Sequence, residues 1–404
     1  MPLPRPLRTA AIVAAAALAA SPAVAQDEGG RRIVIGVGQT FEAGRNLGLE
    51  VPNEGDTIRT TTRLSFGLST ATPLDRLEFA VAGDIRVEDG PGTSGTELSF
   101  SLPSLSLGYT REIPNALFGV AARARRGDVS DLGGTAEADE EGTQTDYGFE
   151  VRFETGRTGP ASFSARAAYD VTEYEDVSDP TLTDTQTLTL DLGTRLRFSP
   201  VLTGIGGIGF TREDDDGGDR IDTTTVSLGL EHALRNGSAS ATLTWSSADD
   251  EGERVSFEVG RALELPAGSL SARIGVSATE EAGADIIGGV DWLQRLPDGS
   301  IGVSLSRSVS FDDDETTVDT GLAIDWTREI GPVSTIRLNA EYFQSDAPSE
   351  RIEQTTLGAT YSHALTRDWQ LGGGVRYILR DDADGRAESP SVFLSLDRSF
   401  AFRF

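Results

Sequence analysis

A strict alternation of apolar and polar residues is the feature of this sequence that most restricts its fold. In residues 268–279, Ile274 belongs to an apolar set on one face of an extended strand, and Ser271 belongs to a polar set on the other. The same period of two runs through residues 185–198 and 334–342. Helical spacing does not explain these segments, so the pattern predicts many strands that each have one apolar and one wet face.

Two kinds of connection alternate between these strands. The short ones lie near Pro73, Pro114, Pro160, Pro200, Asn236, Pro266, Pro297, Pro332 and Arg367, and the acidic ones lie at residues 137–142, 173–179, 213–219, 249–253, 311–316, 345–350 and 380–385. Barrels of the bacterial outer membrane have short turns at the periplasmic rim and longer loops outside, whereas a soluble sandwich has no reason for this asymmetry. The pattern therefore predicts an all-β fold, a transmembrane antiparallel up-and-down β-barrel of about 20 strands, with 18 or 16 as the alternatives.

One segment departs from the alternation. The apolar set of residues 96–109 changes parity near Pro103 and Ser104. An extra residue in one strand of a pair has this effect, so the sequence predicts a β-bulge at that point.

The amino-terminal segment has the composition of an export signal. Arg5 and Arg8 precede an apolar run over residues 9–20, and small residues form a cleavage site just before Gln26. The apolar run is shorter than the roughly 20 residues that a membrane-spanning helix requires. We therefore expect residues 1–25 to be a signal peptide and residues 26–404 to form the outer-membrane β-barrel.

Composition and residue placement argue against several classes of function. The chain has a formal net charge of −29 and no cysteine, so we expect no nucleic-acid partner, no disulfide and no thiolate metal site. His363 follows Ser362, but adjacent residues of a strand point to opposite faces and cannot form a catalytic pair. We interpret His232 and His363 as membrane-interface residues, and the glycines of residues 204–209 as packing within a strand. The sequence therefore predicts no enzyme, no cofactor and no metal site.

The end of the chain completes the strand pattern. Residues 391–404 alternate apolar side chains and finish with Phe400, Phe402 and Phe404. This segment resembles the closing strand of Gram-negative outer-membrane proteins, whose final aromatic and alternating apolar residues are read by the barrel assembly machinery. The resemblance implies that these phenylalanines are an assembly signal.

Charged residues of both signs lie on the polar face of the predicted strands. A charge that faces hydrocarbon at mid-membrane depth costs about 2 to 4 kcal/mol, so these side chains must face a wet interior. A barrel of 16 to 18 strands already encloses an aqueous channel, and a wider one is not filled by its own side chains. The expected pore-lining residues are Arg123, Arg125, Arg152, Arg166, Arg195, Arg197, Arg273, Arg337 and Glu341.

The third of the predicted long loops is acidic. Its carboxylates are Asp128, Asp131, Glu137, Asp139, Glu140 and Glu141, and arginines immediately precede it. General diffusion porins are similar in having an acidic third loop folded into the lumen opposite a row of arginines. The resemblance implies a constriction loop, and the alternative is a solvated loop outside the pore.

These features together indicate a membrane channel. We expect a porin-like barrel for small hydrophilic solutes or ions, in contact with outer-membrane lipid, lipopolysaccharide and the barrel assembly machinery. The alternative is a non-conducting structural or surface-interaction barrel whose acidic loops contact lipopolysaccharide-bound cations or another partner. Either would lie in the outer membrane of a Gram-negative cell.

Deleting residues 400–404 is expected to block assembly in the outer membrane, because the deletion removes the aromatic end of the closing strand. Cell fractionation and the heat-dependent gel mobility of the folded barrel measure assembly. Phe404→Tyr, which keeps a terminal aromatic ring, is the control and should assemble normally. Membrane-inserted, heat-modifiable protein after the deletion would contradict the prediction.

Overall fold

A computed structural model describes most of the chain from Gly30 onwards. The described residues are 30–53, 55–91, 97–129, 142–177, 182–216, 218, 220–249, 252–279, 283–312, 315–347, 351–383 and 385–404. The predicted signal peptide, residues 1–25, lies outside these ranges.

The described chain folds into a single sheet of 20 antiparallel strands. The strands are β1 Gly30–Arg45, β2 Asp56–Ala71, β3 Asp75–Asp89, β4 Glu97–Ile113, β5 Ala116–Asp128, β6 Thr143–Thr155, β7 Ala161–Glu175, β8 Thr185–Arg197, β9 Leu202–Asp215, β10 Arg220–Leu234, β11 Gly237–Ala248, β12 Gly252–Leu265, β13 Gly268–Thr279, β14 Gly283–Leu296, β15 Gly299–Asp312, β16 Glu315–Gly331, β17 Ser334–Asp346, β18 Arg351–Ala364, β19 Trp369–Asp382 and β20 Gly385–Arg403. Each strand pairs with the next, and β20 pairs with β1, from Arg32 opposite Arg403 to Gly44 opposite Ser391. The sheet is therefore a closed up-and-down barrel, which confirms the predicted fold class and strand number.

The two ends of the barrel differ less in loop length than the sequence suggested. The predicted short turns are all present at one end, as between Leu296 of β14 and Gly299 of β15. At the other end, here called the loop end, the strands continue into the acidic segments, so that β19 extends to Asp382. The Asp382 carboxylate lies 2.6 Å from Arg380 Nε, and such pairing lets an acidic residue remain within a strand.

An apolar belt covers the outer face of the barrel. In β13, Ile274 and Val276 are 61% and 47% exposed, whereas Ser277 on the opposite face is 5% exposed. Soluble proteins do not expose a continuous apolar surface of this extent to water, so lipid must cover it. A closed barrel with such a belt is the architecture of an outer-membrane protein, and the expected location is confirmed. Among the described residues, no helix is long and apolar enough to cross a bilayer.

The predicted β-bulge lies between β3 and β4. Ala82 pairs with Ser104, but Asp84 pairs with Ser101, so β4 contains one more residue than β3 over this interval. The extra residue falls where the sequence changes parity, as expected for a bulge.

Ile274→Arg is expected to destabilise the barrel by about 2 to 4 kcal/mol, because Ile274 lies in the middle of β13 on the lipid-facing side. Ser271→Arg in the same strand is the matched control, and it should have little effect because Ser271 faces the polar side and contacts Asp291. Urea unfolding of barrels refolded into lipid vesicles measures the difference. Equal losses of stability at the two positions would show that the two faces have been misassigned.

Candidate functional site

The polar side chains lie on the face opposite the apolar belt, and strand register arranges them in rows. Gly38, Arg63, Asp84 and Asp397, from β1, β2, β3 and β20, form one such row. The register places all the expected pore-lining residues on this polar face, namely Arg123, Arg125, Arg152, Arg166, Arg195, Arg197, Arg273, Arg337 and Glu341.

Ion pairs that reach over a strand show that the polar face is the concave one. Arg123 of β5 and Asp170 of β7 approach to 2.7 Å across β6. Gly148 of β6 lies between them, and a Cβ added there would be 2.5 Å from both Arg123 Nε and Asp170 Oδ1. The pair therefore depends on the absence of a side chain at Gly148. Arg376 and Glu42 likewise meet across β20, so the polar side chains converge inside the barrel.

The inner wall formed by β5 to β8 pairs most of its arginines with carboxylates. Arg166 contacts Glu150 at 2.9 Å and Asp191 at 3.1 Å, and Arg125 contacts Asp146 at 2.7 Å. These side chains are part-exposed, so each pair contributes only about 0 to 1 kcal/mol to stability. Their main effect is to cancel the field of the arginines that the sequence placed on this wall.

The inner wall formed by β12 to β17 is different, because several of its carboxylates lack an arginine partner. Within the described part of the chain, none of the following has an arginine nitrogen within 4.0 Å: Glu264, Asp285, Asp291, Asp325 and Glu341. Asp291 accepts only a long hydrogen bond from Ser271, at 3.3 Å. Two arginines of the same wall, Arg295 and Arg337, have no carboxylate within 4.0 Å among the described residues. The five carboxylates outnumber these arginines, so this half of the interior carries an excess of negative charge.

Two cavities along the inner wall reflect this difference. One, of about 670 Å³, is bordered by the paired residues Arg123, Glu150, Arg166 and Asp170. The other, of about 570 Å³, is bordered by Glu264, Asp291 and Asp325, by Glu231, which pairs with Arg195, and by one arginine, Arg235. A cation entering the second cavity would meet carboxylates at several heights along the strands. The sequence showed charges of both signs but not this division, because register decides which charges meet.

The described residues include the base of the acidic third loop. Val129 is completely buried, and its backbone N–H donates to the carbonyl of Gly142 at 3.1 Å. Asp128 ends β5, and the other acidic residues of the proposed constriction, Asp131, Glu137, Asp139, Glu140 and Glu141, lie outside the described residues. The constriction loop therefore stays a prediction.

The histidines lie on the outer face, near the short turns. His363 Nδ1 is 2.8 Å from Ser334 Oγ of the neighbouring strand and 3.4 Å from the hydroxyl of Tyr361. Sequence reasoning compared His363 only with Ser362 and missed this cross-strand contact, which only the register reveals. No carboxylate is hydrogen bonded to His363 among the described residues, so the group lacks the third member of a catalytic triad.

The described residues also contain no group of three or more acidic, histidine or cysteine side chains arranged to hold a metal ion.

Solved structures share the barrel but little sequence. The siderophore receptor PirA from Pseudomonas aeruginosa is 13% identical, with a TM-score of 0.54, and the match covers 93% of this chain and 81% of PirA. A mutant of the ferric enterobactin receptor PfeA from the same organism is 12% identical, with a TM-score of 0.56, over 92% of this chain and 81% of PfeA. The ferric-catecholate import receptor Fiu from E. coli K12 is 9% identical, with a TM-score of 0.55, over 93% of this chain and 82% of Fiu. No family model matches the chain, and no curated protein matches it. At these identities the likeness concerns the fold alone, and that fold is the outer-membrane-type β-barrel predicted from the sequence.

Proposed function

We propose that this protein is an outer-membrane channel that admits small hydrophilic solutes and favours cations over anions. The observation that carries the proposal is the set of unpaired carboxylates on the inner wall of β12 to β17. The paired arginines of β5 to β8 do not balance them, because their charge is already cancelled locally.

The width of the barrel supports an aqueous pathway. Twenty strands spaced by about 4.8 Å and tilted by about 40° enclose a backbone diameter of about 40 Å. Side chains projecting from opposite walls do not meet across that distance, and barrels of 16 to 18 strands already contain water. The charged inner side chains are hydrated in such an interior, whereas exposing them to lipid would cost free energy.

The carboxylates favour cations through an electric field that salt can screen. At physiological ionic strength the field of an exposed charge extends about 8 Å. A cation passing the wall is stabilised at each height, whereas an anion is repelled. The preference should therefore be strong at low salt and weaken as salt rises.

Reversal potentials across a salt gradient in planar bilayers test the selectivity. Wild-type protein should conduct with a cation-selective sign, and neutralising the wall should weaken or reverse it. The test variant combines Glu264→Gln, Asp291→Asn, Asp325→Asn and Glu341→Gln. The control combines Arg123→Gln with Asp170→Asn, which removes an ion pair without changing net charge, and it should keep the wild-type sign. Anion selectivity in the wild type would contradict the selectivity, and refolded barrels that do not conduct would favour the structural barrel.

A second variant tests the third loop separately. Neutralising Glu137, Asp139, Glu140 and Glu141 together should further reduce cation preference if the loop enters the lumen, because its carboxylates would then border the narrowest point. The same bilayer measurement, with the wall left intact, gives the effect of the loop alone. An unchanged reversal potential would place these side chains outside the pathway and remove the constriction from the proposal.

A further inference from the structure

The connection that follows β1 lies against the inner wall of the barrel. Residues 46–53, here called the first loop, begin just above Gly44, whose row on the inner face includes Ser391 of β20. A Cβ added at Gly44 would lie 2.5 Å from Leu47 Cδ2 and 2.8 Å from Ser391 Cβ. Leu47 therefore occupies the space that a side chain at position 44 would fill, and the first loop turns inward rather than away from the barrel.

A buried amide fixes the conformation of the first loop. Asn46 is 2% exposed and has a φ of 53°, in the left-handed region that asparagine tolerates better than most residues. Its side-chain N–H donates to the carbonyl of Glu50 at 2.9 Å, and its Oδ1 accepts the backbone N–H of Glu50 at 2.9 Å. Its own backbone N–H donates to the carbonyl of Gly55 at 2.7 Å. A buried polar group with satisfied partners favours one arrangement over alternatives, so the loop is held in place.

The inner wall next to the first loop is shielded from water. Ser391 is only 5% exposed, and its hydroxyl donates to Glu42 at 3.0 Å. Arg376 also contacts Glu42, whose side chain is 12% exposed. Ser395 lies on the same face of β20, further from the loop end, and is partly exposed. The shielding is therefore confined to the loop end of this wall.

We propose that the first loop is a fixed constriction that narrows the loop-end mouth of the barrel and limits the size of solutes that enter. The transport part of this inference rests on the proposed channel function. The restriction is steric, because the loop brings apolar side chains such as Leu47 and Val51 into the mouth and Glu50 is the only charged residue among residues 47–53. The third loop stays a prediction as a constriction, and the contacts of Asn46 and Leu47 point to the first loop independently.

Thiol labelling tests the shielding without requiring conduction. The chain has no cysteine, so Ser391→Cys and its matched control Ser395→Cys each introduce the only thiol. A water-soluble methanethiosulfonate reagent should modify position 391 at least about tenfold more slowly than position 395, because the reagent must wait for local opening of the loop. Replacing residues 47–53 by two glycines should bring the two rates together. Equal rates with the first loop intact would overturn the inference.

Conductance tests the transport consequence. The variant with residues 47–53 replaced should conduct more than wild type in planar bilayers and admit larger neutral sugars in liposome swelling. Its cation preference should stay close to that of wild type, because the replaced segment carries only one carboxylate. If wild type conducts and the variant has the same conductance and sugar limit, the constriction is wrong while the channel stands. If neither the wild type nor the variant conducts, both the proposed channel function and the transport role of the first loop are wrong.

Discussion

Backbone hydrogen bonding in lipid is the constraint on which the rest of this structure depends. Hydrocarbon offers no partner to a peptide N–H or carbonyl, so every strand must pair on both sides. Pairing of β20 with β1 meets that demand by closing the sheet. Closure fixes which face of each strand is concave, and alternation along the strand then separates a lipid-facing set of side chains from a wet one. The interior and its charges follow from this single requirement.

Strand register determines which charged side chains of the interior meet and where an uncompensated electric field remains. Arg123 and Asp170 are 47 residues apart and meet only because β6 places Gly148 between them. Across the barrel, Asp291 and Asp325 have no such partner within the described structure. The two walls contain the same residue types, yet ion pairs cancel most of the charge on one, whereas unpaired carboxylates predominate on the other. The distribution of pairs, rather than the net charge of the chain, is what gives the proposed pathway its selectivity.

Much of the fold could be predicted because it depends on local patterns. Alternation in residues 268–279 assigns Ile274 and Ser271 to opposite faces, and the prolines mark the short turns. The bulge near Pro103 was visible as a change of parity. Contacts that depend on register were not visible, such as Ser334 with His363. The inward turn of the first loop was hidden as well, because it depends on the left-handed conformation of Asn46 and on the space left by Gly44.

Closure of the barrel also depends on contacts between distant parts of the chain. Glu42 and Ser391 touch although they are 349 residues apart, because β20 completes the pairing of β1. Pairing neighbouring strands in a hairpin costs little chain entropy. Pairing β20 with β1 costs much more, and its hydrogen bonds form only when the two strands meet. Until β20 pairs with β1, a sheet formed by the other strands has two unpaired edges. A net charge of −29 makes such intermediates repel one another, which protects those edges from intermolecular pairing.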